Sequence, residues 1–196
     1  MVVAVVLSGG ESRRMGSPKA LLTVDGQTFI ERIVSALQST KVGKIVVVLG
    51  HHAKEIGPKI EHLPVTVVIN DDYQKGQLSS LVAALGSLGK AEEVDGVLVH
   101  LVDHPFLRPS LVDEMIDRFY DSKKLIVVPR YQDRRGHPVI FSRKLFPELL
   151  RAPLDQGAKT VVHAHRDETL EIPVEDEGVI VDIDTRDQYL ERVEKR

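Results

Sequence analysis

An alternation of short apolar runs with segments of helical periodicity constrains the fold of this chain more than any other feature. The apolar runs are rich in β-branched residues and lack polar alternation, which is typical of buried parallel strands. These runs are Val2–Leu7, Lys44–Leu49, Val65–Ile69, Val97–Val102 and Leu125–Val128. The helical segments between them are Thr28–Ser39, Lys54–Glu61, Leu78–Leu88 and Pro109–Asp121. This order predicts βαβ units in a three-layer α/β/α fold with a mainly parallel, Rossmann-like sheet.

The last third of the chain predicts a smaller addition to this sheet. Three short apolar segments are candidates for an antiparallel edge: Val139–Phe141, Leu170–Pro173 and Val179–Ile183. An amphipathic pattern over Arg186–Lys195 predicts a final helix. No Pro/Gly/Ser-rich linker divides the 196 residues, so we expect one domain over residues 1–196 with a continuous core.

Composition excludes several function classes. The net charge is −3, with 26 Lys and Arg against 29 Asp and Glu, so no overall field favours nucleic acid or an anionic membrane. The chain has no cysteine, which excludes disulfides, thiolate metal sites and cysteine nucleophiles. The first apolar run is too short for a signal core or a membrane span. We therefore expect a cytoplasmic protein with small-molecule substrates and neither nucleic-acid nor membrane partners.

The loop after the first strand has the composition of a phosphate-binding site. Ser8, Gly9 and Gly10 end the apolar run, and three cations follow within ten residues: Arg13, Arg14 and Lys19. A Gly-rich turn at the carboxyl edge of a sheet can direct backbone N–H groups at an anion. The spacing fits neither the P-loop nor the dinucleotide fingerprint. The loop therefore predicts a bound polyphosphate, with Arg14 and Lys19 neutralising a nucleotide triphosphate.

Residues 7–22 resemble the L-A-[AG]-G-x-S-x-R-M-G-x-x-K-x-L loop of the MobA-like nucleotidyltransferases, with Ser8 in place of the usual alanine. These enzymes attach a nucleotide to molybdopterin and have relatives among sugar-nucleotide pyrophosphorylases. The resemblance implies the nucleotide-diphospho-sugar transferase fold, with nucleotide contacts from Leu7, Ser8, Gly9, Gly10, Arg14 and Lys19.

A second segment resembles the family element N-x(5)-G-[ML]-x-x-S-[LI] near the nucleotide. It begins at Asn70 and continues through Gly76 to Ser79 and Ser80. A small-residue loop that opens a helix can offer N–H and hydroxyl groups to a base or ribose. These four residues are therefore expected to contact the nucleotide, and the alternative is a plain helix start.

Asp103 is the first candidate metal ligand. It follows the strand ending at Val102, and Pro105 stops the ladder, so the carboxylate should lie at the same sheet edge as the Gly-rich loop. Mg²⁺ takes one or two protein carboxylates together with phosphate oxygens. The Asp-x-Pro sequence resembles the family's D-[MQ]-P motif, whose aspartate binds Mg²⁺. The alternative is an aspartate that caps the following turn.

Asp182 and Asp184 are candidates for a second ligand of the same metal. Two carboxylates two residues apart on a strand share one face. The segment resembles the family's D-I-D-T-[PR]-x-D sequence. The alternative is an N-cap at Asp184 or Thr185 that starts the last helix, and both interpretations are compatible. The sequence leaves open which of the two aspartates reaches the metal.

Gly136, His137 and Pro138 are the candidate acceptor-binding residues. The glycine permits a backbone turn, and the proline fixes entry into the next strand. The segment resembles R-G-[HN]-P-V-x-F of the cytidylyltransferase branch, which implies that it faces the molybdopterin acceptor. Residues 155–159 resemble G-D-x-G-A-[RK] of the same branch, with Asp-Gln in place of Gly-Asp. The remaining histidines are not expected to form a metal set, and His163 and His165 should diverge on one helix.

Together these residues predict a Mg²⁺-dependent nucleotidyltransferase in which Arg14, Lys19 and Asp103 are catalytic. An acceptor phosphate would attack the α-phosphorus in line and expel pyrophosphate, so positioning and charge stabilisation would carry catalysis. Residues 17–19 and 136–138 favour CMP transfer from CTP to molybdopterin. GTP is the alternative, because Ser-Gly-Gly is closer to the guanylyl branch's Ala-Gly-Gly. A nucleotide-binding partner of a molybdoenzyme without turnover is the other class; retention of Asp103 and Lys19 argues against it.

Overall fold

The computed structural model describes residues 1–89 and 93–194. Its strands are β1 (Val2–Ser8), β2 (Thr23–Val24), β3 (Gln27–Thr28), β4 (Lys44–Leu49), β5 (Thr66–Ile69), β6 (Gly96–Leu101), β7 (Ile126–Tyr131), β8 (Arg134–Arg135), β9 (Val139–Ser142) and β10 (Thr169–Val174). Its α-helices are α1 (Phe29–Gln38), α2 (Ala53–Ile60), α3 (Gln77–Leu88), α4 (Pro109–Ser122), α5 (Phe146–Leu149), α6 (Lys159–Ala164) and α7 (Arg186–Tyr189).

One eight-stranded sheet has the order β10-β7-β9-β6-β1-β4-β5, with β8 paired to β7. Strand β1 is buried along its whole length, and its alternate residues enter two different apolar clusters. Helices α1, α2 and α4 complete the first cluster, and helices α3, α5 and α6 complete the second. Helices therefore cover both faces of a mainly parallel sheet, and the predicted three-layer fold is confirmed.

The register of the central strands brings three carboxyl ends to one edge. Strand β1 pairs in parallel with β4 and β6, so that Ser8 lies beside Leu49 and Leu7 lies beside Leu101. The chain segments that follow these strands therefore begin side by side. Open α/β sheets bind ligands at this edge, where the carboxyl ends of the strands meet.

Local sequence signals explain where α1 begins. The hydroxyl of Thr28 accepts a hydrogen bond from the Glu31 backbone N–H, and the Glu31 carboxylate accepts one from the Thr28 backbone N–H. This reciprocal pair satisfies two backbone donors that a helix start leaves free. Ile30, Ile33 and Leu37 then recur at helical spacing and are fully buried.

Three strand predictions need correction. The predicted buried strand Val65–Ile69 is the edge strand β5 over Thr66–Ile69, and Ile69 is 51% exposed, because β-branched residues suit either position. Leu170–Pro173 lies within β10, but β10 pairs with β7 in parallel. Val179–Ile183 is no strand, because a 3₁₀ turn covers Glu177–Ile180 and irregular backbone follows. Strand β9 is antiparallel as predicted, but it lies between β6 and β7 instead of at the edge of the sheet.

The final helix begins at Arg186 as predicted, and a π-helical turn over Leu190–Glu194 continues it. Lys195, the predicted end of this helix, lies outside the described residues. None of the helices in the described ranges combines the length and apolar character needed to cross a bilayer.

Candidate active site

The loop after β1 passes very close to the end of β4. A Cβ atom on Gly9 would lie 2.7 Å from the Ser80 hydroxyl oxygen, and one on Gly50 would lie 2.6 Å from the Gly9 carbonyl oxygen. A side chain at either position would therefore displace its neighbour. For Gly10, no heavy atom of the described residues, apart from Gly10 and its two chain neighbours, lies within 4 Å of such a Cβ. The space beside Gly10 is open, as an approaching ligand would require.

Two histidines after β4 hold this loop in place. The backbone N–H of His51 donates to the Gly9 carbonyl at 3.3 Å, and a ring nitrogen of His52 lies 3.1 Å from the Glu11 carbonyl oxygen. Neither histidine is among the site residues predicted from the sequence. Their position directly after β4, which pairs with β1, places both histidines at this sheet edge, but no local sequence signal identifies their contacts with the loop.

The rest of the loop is a compact turn that orients Lys19. Ser12 adopts a φ of 52°, which is unusual for a residue other than glycine. Its carbonyl accepts hydrogen bonds from the Met15 and Gly16 backbone, and its hydroxyl accepts one from the Lys19 N–H at 3.2 Å. These contacts fix the start of the 3₁₀ turn that carries the Lys19 side chain.

A cavity of about 330 Å³ lies between this loop and the ends of β1 and β6. Among the predicted site residues, its lining includes Leu7, Ser8, Gly9, Gly10, Arg14, Lys19, Gly76, Ser80, Asp103 and Asp184. The cavity thus brings together the predicted phosphate-binding residues and two of the predicted metal ligands. His52 and Tyr73, which are not among the site residues predicted from the sequence, also line it.

Lys19 links two carboxylates at the centre of this cavity. Its Nζ lies 2.9 Å from Asp103 Oδ2 and also contacts Asp184 Oδ1, and the guanidinium of Arg14 donates to Asp184 Oδ2 at 2.5 Å. The Lys19 side chain is 14% exposed, and both carboxylates are 23% exposed. The two acids therefore share one partly buried cation.

The pKa values of these groups reflect that sharing. Burial is the largest single effect on the pKa of Lys19 and would lower it, but the charges and hydrogen bonds of Asp103 and Asp184 together raise it above its usual value. For Asp184, burial would raise the pKa, and the contacts with Lys19 and Arg14 outweigh it and lower the pKa. Both effects favour the charged forms at neutral pH.

The donor set in this cavity fits a hard divalent cation. Asp103 and Asp184 direct carboxylate oxygens at one point, and Mg²⁺ commonly takes one or two carboxylates with water and phosphate oxygens. Within the described residues there is no cluster of three His, Cys, Asp or Glu side chains that could hold a metal alone. The arrangement therefore suits a cation that is bound together with a phosphate ligand.

Asp182 and Asp184 have different positions in the structure, which the sequence left undecided. Asp184 lines the cavity, whereas Asp182 is exposed and is not among the lining residues described. The premise that both share a strand face was wrong, because this segment is irregular. Thr185 is the N-cap of α7, with Gln188 as its reciprocal partner, so Asp184 does not cap the helix.

Contacts from both sides hold Asp184 beside Asp103. The Ile183 N–H donates to the Asp103 carbonyl at 2.9 Å. On the other side, the Gln188 side-chain oxygen accepts from the Asp184 N–H at 2.8 Å. An apolar cluster of Met15, Val24, Phe29 and Ile183 packs this segment against the Gly-rich loop. The C-terminal segment is thereby attached to the loop that carries Lys19.

Asn70 and Ser79 support the cavity from behind. The buried Asn70 amide donates to the Ser79 and Ser80 hydroxyls at 2.8 and 3.0 Å, and its oxygen accepts from the Asp72 N–H. Neither Asn70 nor Ser79 is among the residues described as lining the cavity, whereas Gly76 and Ser80 are. The predicted nucleotide-binding segment therefore divides into residues that face the cavity and residues that order its wall.

A second cavity of about 530 Å³ lies beside the first. Its lining is mostly apolar, with Arg135, His137, Lys159 and His163 among the polar members. Gly136 and His137 line it, while Pro138 is not among its described lining residues. The two cavities share Leu7, Gly76, Gln77 and Leu101, so they meet at the ends of β1 and β6.

Gly136 is required for a different reason from the predicted turn. A Cβ at this position would lie 2.3 Å from the Val179 carbonyl oxygen. The backbone N–H of the next residue, His137, donates to that same carbonyl at 2.8 Å. Close approach of two backbone segments therefore explains the glycine, and its φ is not in the left-handed range.

Two buried histidines, His100 and His104, and the partly buried His137 lie near Asp103. The ring centroids of His100 and His104 are 6.2 Å apart, and those of His104 and His137 are 5.0 Å apart. Burial is the main cause that lowers the pKa of His100 to about 3, the pKa of His137 to about 4, and the pKa of His104 below its usual value. All three rings are therefore neutral at pH 7, and His137 adds no positive charge to the second cavity.

The remaining histidine prediction is half right. His163 lies in α6, but His165 follows the end of this helix instead of sharing it. The two ring nitrogens of His165 each lie 2.7 Å from a carboxylate oxygen, one from Glu148 and one from Glu168. His165 therefore has a structural ion-pair role.

Comparison with known proteins gives relatives for most of the chain. A probable molybdenum cofactor guanylyltransferase of Pyrococcus horikoshii is 31% identical over 159 residues, covering 80% of this chain and 77% of the relative. Nicotine blue oxidoreductase of Paenarthrobacter nicotinovorans is 28% identical over 201 residues, covering 95% and 94%.

Solved structures match over almost the full length. Rv0371c of Mycobacterium tuberculosis H37Rv has a TM-score of 0.87 at 30% identity, covering 98% of this chain and 97% of that one. A complex of Rv0371c with manganese has a TM-score of 0.81 at 27% identity, covering 100% and 99%. The sequence profile of the MobA-like NTP transferase domain matches residues 4–169. The chain therefore belongs to the MobA-like NTP transferase family.

Proposed function

We propose that this protein is a Mg²⁺-dependent nucleotidyltransferase that joins a nucleotide to molybdopterin and releases pyrophosphate. The observation that carries the proposal is the meeting of two cavities at Leu7 and Leu101. One cavity combines a cationic Gly-rich loop with two carboxylates, which suits a nucleoside triphosphate and a metal. The other is larger and mostly apolar, which suits the ring system of the acceptor.

In this proposal the chain's own residues position the reacting groups. The backbone at Ser8, Gly9 and Gly10 binds the triphosphate together with Arg14 and Lys19. Asp103 and Asp184 would hold Mg²⁺, which supplies positive charge to the phosphate oxygens when bound. Gly136 and His137 contribute to the wall of the acceptor cavity.

No side-chain base is needed for this reaction, because an acceptor phosphate is already an anion. The lowered pKa values of His104 and His137 agree with this, because they favour the neutral form of both rings. Neither ring is therefore assigned a proton-transfer step. Positioning and charge stabilisation by the Gly-rich loop, its cations and the metal carry the rate.

GTP is the nucleotide that the comparisons favour. The Pyrococcus relative is named a guanylyltransferase, and the Ser8-Gly9-Gly10 sequence agrees with the guanylyl branch. CTP, the first expectation from the sequence, gains no support from that relative. It stays a second candidate, because Gly136 and His137, which carry the resemblance to the cytidylyl branch, line the second cavity.

The deciding experiment measures pyrophosphate release with GTP or CTP in the presence of molybdopterin and Mg²⁺. We expect release that depends on molybdopterin and is faster with GTP, and we expect Asp103→Ala to abolish it. Faster release with CTP would replace GTP by the second candidate. Nucleotide binding without release from either nucleotide would instead indicate a non-catalytic partner of a molybdoenzyme.

A further inference from the structure

We infer that Lys19 acts as a stand-in for the divalent cation in the nucleotide-free protein. Its ammonium occupies the point where the Asp103 and Asp184 carboxylates converge, and it moves away from this point when a triphosphate binds. The inference rests on the proposed metal-dependent function and adds a statement of how metal binding depends on nucleotide binding. The metal and the nucleotide would bind as a coupled pair, with Lys19 as the residue that couples them.

The geometry places one cation between two acids. Lys19 Nζ contacts an oxygen of Asp103 at 2.9 Å and an oxygen of Asp184, and all three side chains are less than one-quarter exposed. Two carboxylates that share a poorly solvated site repel each other unless a cation offsets their charge. The ammonium supplies that charge in the protein without ligands.

The two acids cannot separate easily when the cation leaves. The hydrogen bond from the Ile183 N–H to the Asp103 carbonyl holds the two chain segments that carry the acids together. The Gln188 side-chain oxygen holds the Asp184 backbone N–H from the other side. The convergence of the two carboxylates is therefore set by backbone contacts as well as by Lys19. A divalent cation that entered here would meet the same oxygen atoms that the ammonium now contacts.

This arrangement lowers the affinity of the protein for a metal ion when no nucleotide is bound. The incoming ion would have to displace Lys19 from two charge-assisted hydrogen bonds and leave the ammonium in a partly buried position. A triphosphate beside Gly10 offers the ammonium new acceptor oxygens, so the carboxylates become free for the metal. Each ligand should then raise the affinity of the other by the same factor, as linkage requires.

Arg14 does not provide the same coupling. Its guanidinium contacts Asp184 on the other carboxylate oxygen, and its side chain is largely exposed. Neutralising Arg14 would remove charge from the rim but leave the central contact between Lys19 and Asp103 intact. The stand-in role is therefore specific to Lys19.

The test is titration of Mn²⁺ without nucleotide into the native protein and into Lys19→Met, with Mn²⁺ binding measured by calorimetry and by the loss of the free-ion EPR signal. We expect Lys19→Met to bind Mn²⁺ at least about tenfold tighter, because the ion no longer displaces an ammonium. We also expect GTP to raise Mn²⁺ affinity by a smaller factor in Lys19→Met than in the native protein.

Three further variants control for charge and for folding. Arg13→Met removes the same charge from the same loop, but Arg13 is 84% exposed and pairs with Glu11, so Mn²⁺ affinity should change by less than about threefold. Lys19→Arg keeps the positive charge, so it should bind Mn²⁺ no tighter than the native protein. Lys19→Gln replaces Lys19→Met if the latter fails to fold, with the same expected tightening.

Other results would overturn the inference. Equal or weaker Mn²⁺ binding by Lys19→Met refutes the stand-in role, and it leaves the metal assignment intact when Asp103→Ala abolishes Mn²⁺ binding. An equal gain in Arg13→Met would assign the effect to general electrostatics. Failure of every protein to bind Mn²⁺, even with GTP, would overturn this inference and the proposed metal site together.

Discussion

Replacing Asp184 by asparagine tests whether the proposed reaction depends on this carboxylate or on its neighbour Asp182. Asp184 receives the Lys19 ammonium and the Arg14 guanidinium, whereas Asp182 is exposed and is not among the described cavity residues. Asparagine keeps the shape of the side chain and removes the charge that both cations contact. Asp182→Asn removes the same charge two residues away and is the matched control.

The size of the effect follows from the contacts. A hydrogen bond to a charged group contributes about 1.5–3 kcal/mol, and Asp184 would also lose its value as a metal ligand. A loss near the upper end corresponds to about a hundredfold fall in kcat/KM for pyrophosphate release at fixed Mg²⁺. Nucleotide affinity without metal should not fall, because both cations become available to the triphosphate.

Two measurements check this prediction. Pyrophosphate release over a Mg²⁺ titration should show the loss for Asp184→Asn and a change within about threefold for Asp182→Asn. Calorimetric titration of GTP without metal should show affinity for Asp184→Asn that is equal to or tighter than native. Native turnover by Asp184→Asn at low Mg²⁺, or an equal loss in Asp182→Asn, would refute the assignment of the second carboxylate.

Three stability predictions follow from local contacts. Gly136→Ala should lower the free energy of unfolding by at least about 1–3 kcal/mol in urea titrations, because its Cβ would overlap the Val179 carbonyl, whereas Gly10→Ala should leave it nearly unchanged. Thr28→Ala should cost about 1 kcal/mol through loss of the α1 cap, and an unchanged urea midpoint would contradict this. Hydrogen bonds to Glu168 and Glu148 raise the pKa of His165. Its stabilising contribution should therefore be present below about pH 6.5 and be lost as the pH rises through its folded pKa, so that His165→Gln destabilises more at pH 6 than at pH 9.

The sequence could predict the core of the site because the relevant residues directly follow buried strands. Ser8 ends β1, and Asp103 lies two residues after β6, so the parallel arrangement alone brings them to one sheet edge. The three strands that meet there are almost continuous apolar runs, which is the clearest pattern a parallel sheet produces. Lys19 follows the loop that begins at this edge, and its side chain contacts Asp103 there.

Other parts of the site depend on tertiary contacts that have no local signature. His52 orders the Gly-rich loop through the Glu11 carbonyl, and a histidine after a strand gives no hint of that partner. Asn70 resembles a ligand-binding residue in sequence, yet its amide is used within the wall of the cavity. The sequence predicted a turn at Gly136. The glycine is needed instead because its backbone lies close to the backbone of Val179, more than 40 residues away, and the sequence does not reveal such a contact.

Asp184 lies in a C-terminal segment that packs against the phosphate-binding loop. The family profile ends at residue 169, but the second carboxylate of the cavity comes from the segment after it. That segment reaches the site because Ile183 packs with Met15 and Phe29, and because the Tyr189 hydroxyl donates to the Thr23 carbonyl at 2.7 Å. The same cluster contains Met15, which lies in the loop between Gly10 and Lys19. The phosphate-binding loop and the second carboxylate are therefore parts of one packed unit, and a substitution in this apolar cluster should change metal and nucleotide affinity together.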